Sequence, residues 1–268
     1  MSKGVLFIIF SLGKGGTQRN LVNIVNKIEL KHKKKVLFLY NAIKTSDLEN
    51  QIGHDVKIYK VNSRSKFKNF TRLRVLISII KKENISSIIS FALNGAYLAL
   101  ISKLFFPFRN LPIIYRLVSI PSALMSSKYP TVLKLKNFFF VNVLCRNVNT
   151  IICQSNFMYS SLIAKFPKVL TKKSIVIKNL VDFSRINDCL NENFDVNYKF
   201  FVYVGRLSSE KNIIQIIKAF NIIKDKTDSK LLIIGNGSEF KKIKNFIKSC
   251  NLQDRVLMLG FKKNPYKY

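Results

Sequence analysis

Along its whole length the chain alternates short apolar runs, bounded by turn residues, with longer segments whose apolar residues recur at helical spacing. Apolar runs this continuous belong to strands buried on both faces, and such strands occur where helices cover both sides of a parallel sheet. In the first part of the chain the runs place strands at 5–10, 36–40, 56–61, 87–91, 113–117, 150–154 and 174–177. A helix after the first strand carries Leu21, Val22, Val25 and Ile28 on one face. In the second part, strands at 199–204, 231–234 and 256–259 alternate with two amphipathic helices. One is built on Ile213, Ile216, Ile217, Phe220 and Ile223, the other on Phe240, Ile243, Phe246, Ile247 and Cys250. The pattern predicts an α/β fold of parallel sheets covered by helices, in two parts, 1–185 and 198–268. They are joined by a connection at 186–197, in a polar stretch rich in Asn and Asp.

Two segments imitate membrane elements. The apolar run at 5–10 is short for a signal peptide, and Gly-Lys-Gly-Gly follows where a cleavage site belongs, so a first strand is expected. Residues 84–102 are uncharged and nominally long enough to cross a bilayer. They hold several serines and asparagines, and Asn94-Gly95 splits them, which predicts a strand followed by a helix in a buried β-α unit.

Charge narrows the chemistry further. Lys and Arg total 46 against 14 for Asp and Glu, a formal net charge of +32, which points to a polyanionic partner or surface. No Asp or Glu occurs between Asn84 and Val181, so that stretch offers no carboxylate pair for hydrolysis and no hard-metal cage. His32 and His54 lack a second imidazole or carboxylate at ligand spacing. Cys145, Cys153, Cys189 and Cys250 are widely spaced and read as reduced core thiols, hence a cytosolic location. The acid-free segment 60–82 is crowded with Lys and Arg and interleaved with Phe67 and Phe70. It reads as a solvated helix, as a face for an anionic bilayer, or as a nucleic-acid surface, the last without any zinc, helix-turn-helix or RNA-stacking signature.

Three glycine-bearing turns follow strands. At 203–212 the sequence Tyr-Val-Gly-Arg-Leu-Ser-Ser-Glu-Lys-Asn sets a Gly-Arg turn after an apolar strand expected to be buried. Ser208 or Ser209 is placed to cap the helix that follows, with Glu210 and Lys211 at its start. Arg206 and Lys211 beside a helix N-terminus suit a diphosphate, whose departing charge two fixed cations stabilise. Glu210 is either a ligand contact or an acid that merely suits the helix dipole. Gly15-Gly16 lets the backbone come close to a phosphate or sugar, or makes a tight turn with no ligand. Gln18 stands where a dinucleotide fingerprint needs its last glycine. Gly235-Asn236-Gly237-Ser238 repeats the arrangement one strand later, as a ligand contact or as a left-handed turn with a serine cap.

Together these residues resemble the family 4 retaining glycosyltransferases, whose fold is called GT-B. Residues 15–22, 151–155 and 177–182 look like that family's Gly-Gly loop and later acceptor-domain strands, and 205–212 matches its most specific element. Residues 232–237, 254–256 and 259–261 continue the likeness in order and spacing. The resemblance implies two Rossmann-like domains facing a cleft, the second incomplete. It implies sugar transfer from a nucleotide-sugar donor to a lipid-linked or polysaccharide acceptor, with retention of configuration, in cell-surface polysaccharide synthesis. Arg206 and Lys211 would be catalytic, and Gly15, Gly16, Gly205, Glu210, Asn236 and Gly237 would bind the donor. Arg64, Lys66, Lys68, Arg72, Arg74 and Arg116 would face acceptor or membrane. No cofactor or metal is implied. The implied setting is cytoplasmic and peripheral, at the anionic inner face of a membrane, with no nucleic-acid partner.

Two departures qualify that picture. The family's acceptor-domain histidine has no counterpart at 115–119, where Arg116 stands near its edge. The chain also stops before the family's paired glutamates, so a truncated transferase of low stability and low activity is expected. The alternative is a non-catalytic protein that keeps affinity for nucleotide sugar or anionic membrane.

Overall fold

The computed structural model describes residues 3–13, 15–30, 33–41, 48–62, 68–119, 131–132, 135, 139–165, 171, 173–190 and 197–268. The chain divides into two compact units, Met1–Val181 and Asp182–Tyr268.

The first unit is built on a seven-stranded sheet: β1 Gly4–Ile9, β2 Lys34–Leu39, β3 Val56–Lys60, β4 Ile85–Ser90, β5 Ile113–Arg116, β6 Thr150–Cys153 and β7 Ser174–Val176. Every pairing is parallel, in the order β3-β2-β1-β4-β5-β6-β7. Each of the seven lies within about two residues of an expected run. Helices α1 Gly16–Lys27, α2 Lys68–Lys82, α3 Leu93–Lys103 and α4 Asn156–Lys165 connect them, with a π-helical segment at Phe139–Cys145.

Both faces of the sheet are covered. On one, Phe7, Ile9, Leu37 and Leu39 pack against Leu21, Val22 and Val25 of α1. On the other, Leu6, Ile8, Val36 and Phe38 meet Leu76, Ile79 and Ile80 of α2 and Ala96 and Ala99 of α3. Because side chains of β1 go alternately to the two clusters, all six of its residues are buried and none needs to be polar. Each such Leu, Ile or Phe contributes ~1.5–3 kcal/mol by leaving water. The uncharged stretch at 84–102 forms β4 and most of α3, as expected, and no helix among the described residues is long and apolar enough to cross a membrane.

The second unit holds a three-stranded parallel sheet, β8 Phe200–Val204, β9 Lys230–Ile234 and β10 Val256–Gly260, in the order β10-β9-β8. Helices α5 Phe183–Leu190, α6 Ile213–Ile223 and α7 Phe240–Ser249 accompany it. Ile213, Ile217 and Phe220 of α6, with Ile243 and Ile247 of α7, close a core over Leu231, Ile233 and Val256. Arg255 ties the far end together, donating to the backbone carbonyls of Lys224, Thr227 and Ser229.

One expectation changes here. The strand at 200–204 is not buried: it is an edge strand, with Phe201, Val202 and Val204 half-exposed, because among the described residues only β9 flanks it. Within the polar stretch after Val181, Phe183, Ile186 and Leu190 fall at helical spacing and 183–190 forms α5.

Candidate active site

The second unit brings two of the glycine turns into backbone contact at the carboxyl edge of its sheet. The loop after β8 and the loop after β9 run side by side. Gly205 N–H donates to the Ile234 carbonyl at 3.0 Å, Leu207 N–H to that of Asn236 at 3.1 Å, and Glu239 N–H back to that of Leu207 at 3.0 Å. A Cβ at Gly235 would stand 1.8 Å from the Gly205 carbonyl oxygen, and one at Gly237 would stand 2.1 Å from that of Leu207. Gly235 also has a φ of +147°, which a side chain disfavours. These glycines are therefore required by the packing of one loop on the other. Leu207, fully buried, is the pin between the loops and was not singled out by sequence, since an apolar residue after Gly-Arg carries no signal of that role.

Arg206 stands on this joint with its backbone carbonyl accepting from the Tyr203 hydroxyl at 3.2 Å and its side chain 62% exposed. Its guanidinium meets the exposed Glu210 carboxylate at 4.0 Å, a loose contact that leaves the cation available. The nearby Ser208 hydroxyl, with the Arg206 and Lys211 charges adding, holds Glu210 below its usual carboxylate range. Lys211 is exposed on the same loop. Asn236 turns its amide oxygen onto the Gly237 N–H at 2.8 Å.

The helix expected to begin at the serines begins later. Ser209–Lys211 is a single 3-10 turn, Asn212 takes a left-handed conformation (φ 46°), and α6 starts at Ile213 with no side-chain cap from Asn212. Asparagine tolerates that conformation, so the break costs little. Glu210 and Lys211 are thus loop residues over the sheet edge and not the first turn of α6. Ser238 likewise does not cap α7, whose N-cap is Glu239.

In the first unit, Gly15 is the N-cap of α1 and Gly16 its first residue, with open space where a Cβ would lie on Gly16. One turn on, Asn20 is buried and donates to Asn179 Oδ1 at 2.9 Å. The same oxygen accepts from Arg116 Nη2 at 2.6 Å, while Arg116 Nη1 reaches the Ile177 carbonyl and the guanidinium lies 5.8 Å from the Phe91 ring centre. Arg116 is only 3% exposed, and burial lowers its pKa. The network joins α1 to the ends of β5 and β7 at the carboxyl edge of the first sheet. Asn20 and Asn179 were not read as site residues, because a lone amide in a helix or loop gives no chemical signature.

The expected surface cations divide. Lys68 and Arg74 are exposed, Arg74 over the Phe70 ring. Arg72 and Arg116 do not face outward: both are buried, with their guanidinium groups on carbonyl and amide oxygens. Arg64 and Lys66 lie outside the described residues.

Seven parallel strands with helices on both faces, followed by a unit whose glycine turns present Arg206 and Lys211, form the fold of GT-B glycosyltransferases. The chain matches, over residues 188–268, the family described as Glycosyl transferases group 1. It is similar to N-acetylgalactosamine-N,N'-diacetylbacillosaminyl-diphospho-undecaprenol 4-alpha-N-acetylgalactosaminyltransferase of Campylobacter jejuni, 29% identical over 265 residues, covering 97% of this chain and 70% of that protein. Poly(glycerol-phosphate) alpha-glucosyltransferase of Bacillus subtilis is 42% identical over 65 residues, 24% of this chain and 10% of its own. Among solved structures, Anabaena HepE in complex with UDP superposes with a TM-score of 0.72 at 18% identity, covering 98% of this chain and 71% of that one. A glycosyltransferase from Rickettsia africae gives 0.71 at 14%, covering 99% and 70%.

Proposed function

We propose that this chain is a glycosyltransferase that takes its sugar from a nucleotide diphosphate donor and passes it to a lipid-linked acceptor, retaining the anomeric configuration, in the assembly of a cell-surface polysaccharide. The observation that carries the donor reading is the pinned pair of loops at 205–207 and 235–237. It holds the available Arg206 guanidinium over the sheet edge, on the same loop as exposed Lys211. Cations fixed in advance stabilise a departing diphosphate without reorganising as the bond breaks. In this reading they do so in place of a metal. Gly205, Asn236 and Gly237 shape the floor, and Glu210 contacts the nucleotide sugar; in the first unit, Gly15 and Gly16 leave room for a phosphate or sugar to come close to the backbone. The UDP bound to HepE supports a uridine nucleotide, and the diphospho-undecaprenol substrate in the Campylobacter relative's name supports a lipid-linked acceptor. The basic first unit fits work at an anionic cytoplasmic membrane face.

Calorimetry with UDP on the full chain tests the donor site. Arg206→Ala combined with Lys211→Ala is expected to weaken UDP binding at least tenfold with the melting curve unchanged. Unaltered affinity would remove the donor assignment. Transfer from UDP-sugars to a polyprenyl-diphosphate-linked sugar, followed by chromatography, tests the acceptor class.

A further inference from the structure

At the carboxyl edge of the first sheet, on the α2–α3 face, a cavity of about 500 Å³ opens between the first turns of the two helices. Arg72 lines it, 8% exposed. Its guanidinium donates to the Tyr40 carbonyl (2.6 Å), Asn41 Oδ1 (2.7 Å) and Asn69 Oδ1 (3.1 Å). All three are neutral, and no carboxylate pairs with Arg72 among the described residues. A buried cation held only by neutral oxygens keeps most of its attraction for an anion, and three of its five N–H groups account for these bonds. Asn94 and Tyr97 of α3 stand at the same end of the cavity. Burial raises the Tyr97 hydroxyl to about 12, so it remains a proton donor at neutral pH.

Away from the polar groups the lining is apolar. Leu98 and Ile101 line it further along α3, Ile101 exposed, and exposed Phe70 lies on the α2 side. Ile101 also borders a second cavity of about 470 Å³, lined by Leu104, Phe106 and Val143. Asn94, Tyr97, Ile101 and Leu104 recur at three- and four-residue steps, so they make one stripe down α3 from the polar pocket into the apolar one. Leu104 is 78% exposed at the end of that stripe, beside Lys103.

We propose that this groove binds a lipid phosphate, its phosphoryl group held by Arg72, Asn69 and Asn94 and its hydrocarbon chain laid along Ile101 and Leu104. Cation and apolar stripe complement the two parts of one amphipathic anion, which neither free phosphate nor a neutral alcohol does. The groove starts at the same sheet edge as Gly16 and Arg116 and leads away from it, so the phosphate end lies toward that edge. That orientation rests on the acceptor reading above; the binding itself does not.

The test is calorimetry on the full chain with three probes: farnesyl phosphate, farnesol and inorganic phosphate. Farnesyl phosphate is expected to bind at least tenfold more tightly than either of the others. Asn94→Asp, which places a negative charge at the exposed polar end, and Ile101→Glu, which charges the exposed rim, should each weaken it at least tenfold with unchanged melting. Arg72→Met should do the same if it folds; the two exposed positions decide the matter if it does not. Farnesol binding as tightly as its phosphate, inorganic phosphate binding as tightly as either, or indifference to both exposed substitutions would overturn the proposal. UDP affinity, measured in parallel and expected to be unaltered by Ile101→Glu, reports separately on the donor site.

Discussion

Gly235 and Gly237 show what a single hydrogen in place of a side chain accomplishes. Each lies under a backbone carbonyl of the neighbouring loop, so the contact between loops depends on there being nothing to displace. Gly237→Ala is expected to destabilise the second unit by ~2 kcal/mol or more and to weaken UDP binding, and Gly235→Ala adds strain at its positive φ. Gly16→Ala meets open space and should leave the melting curve unchanged, so thermal melts of the three variants separate packing glycines from a spacious one. At this scale the sequence was legible where backbone geometry demanded a residue type: Gly-Arg after a strand and Gly-x-Gly one strand later. It was not legible where the environment decided direction. Arg72 and Arg74 are two positions apart on α2 with the same chemistry, yet one turns to the carbonyls beside Tyr40 and the other to solvent.

The end of α2 carries a device that joins three elements. Glu83, almost fully buried, accepts from Lys57 Nζ at 2.6 Å and the Tyr59 hydroxyl at 2.5 Å, both from β3, with Lys34 of β2 at 3.8 Å. Lys57 chiefly, then Tyr59, hold the carboxyl below its usual range. With the folded pKa below the unfolded one, the stabilisation is fully present above the ordinary glutamate value of ~4.3 and is lost as pH falls through the folded value. Chemical denaturation from pH 7 down to pH 3 should show that loss in wild type, and Glu83→Gln should flatten it while costing ~1–3 kcal/mol at neutral pH. Elements were read well from sequence when both faces were buried, as in β1, where every residue is apolar. The edge strand β8 was misjudged because Phe-Phe-Val-Tyr-Val looks the same whether one neighbour or two flank it. Helix α5 was missed because Asn and Asp outweighed three apolar residues at helical spacing.

For the whole molecule, a net charge of +32 gives a surface that anionic bilayers attract and salt screens. Flotation with phosphatidylcholine vesicles, with and without phosphatidylglycerol, is expected to show binding only to the anionic set, falling as salt rises from 50 to 300 mM. Equal recovery on both sets would argue against the membrane-facing role. The strand-and-helix rhythm of each unit was legible, while no Pro- or Gly-rich run marks Val181, after which the second unit begins.

The four free thiols sort by unit: Cys145 and Cys153 are buried in the first, and Cys189 and Cys250 are partly open in the second. Burial raises Cys145 to about 12 and Cys153 to about 11, so neither offers appreciable thiolate at neutral pH. Alkylation followed by mass spectrometry should therefore advance in two stages, two adducts early and two only when the seven-stranded sheet opens. The chain thus carries its own pair of clocks, one for each unit, ticking at the rate at which that unit lets solvent in.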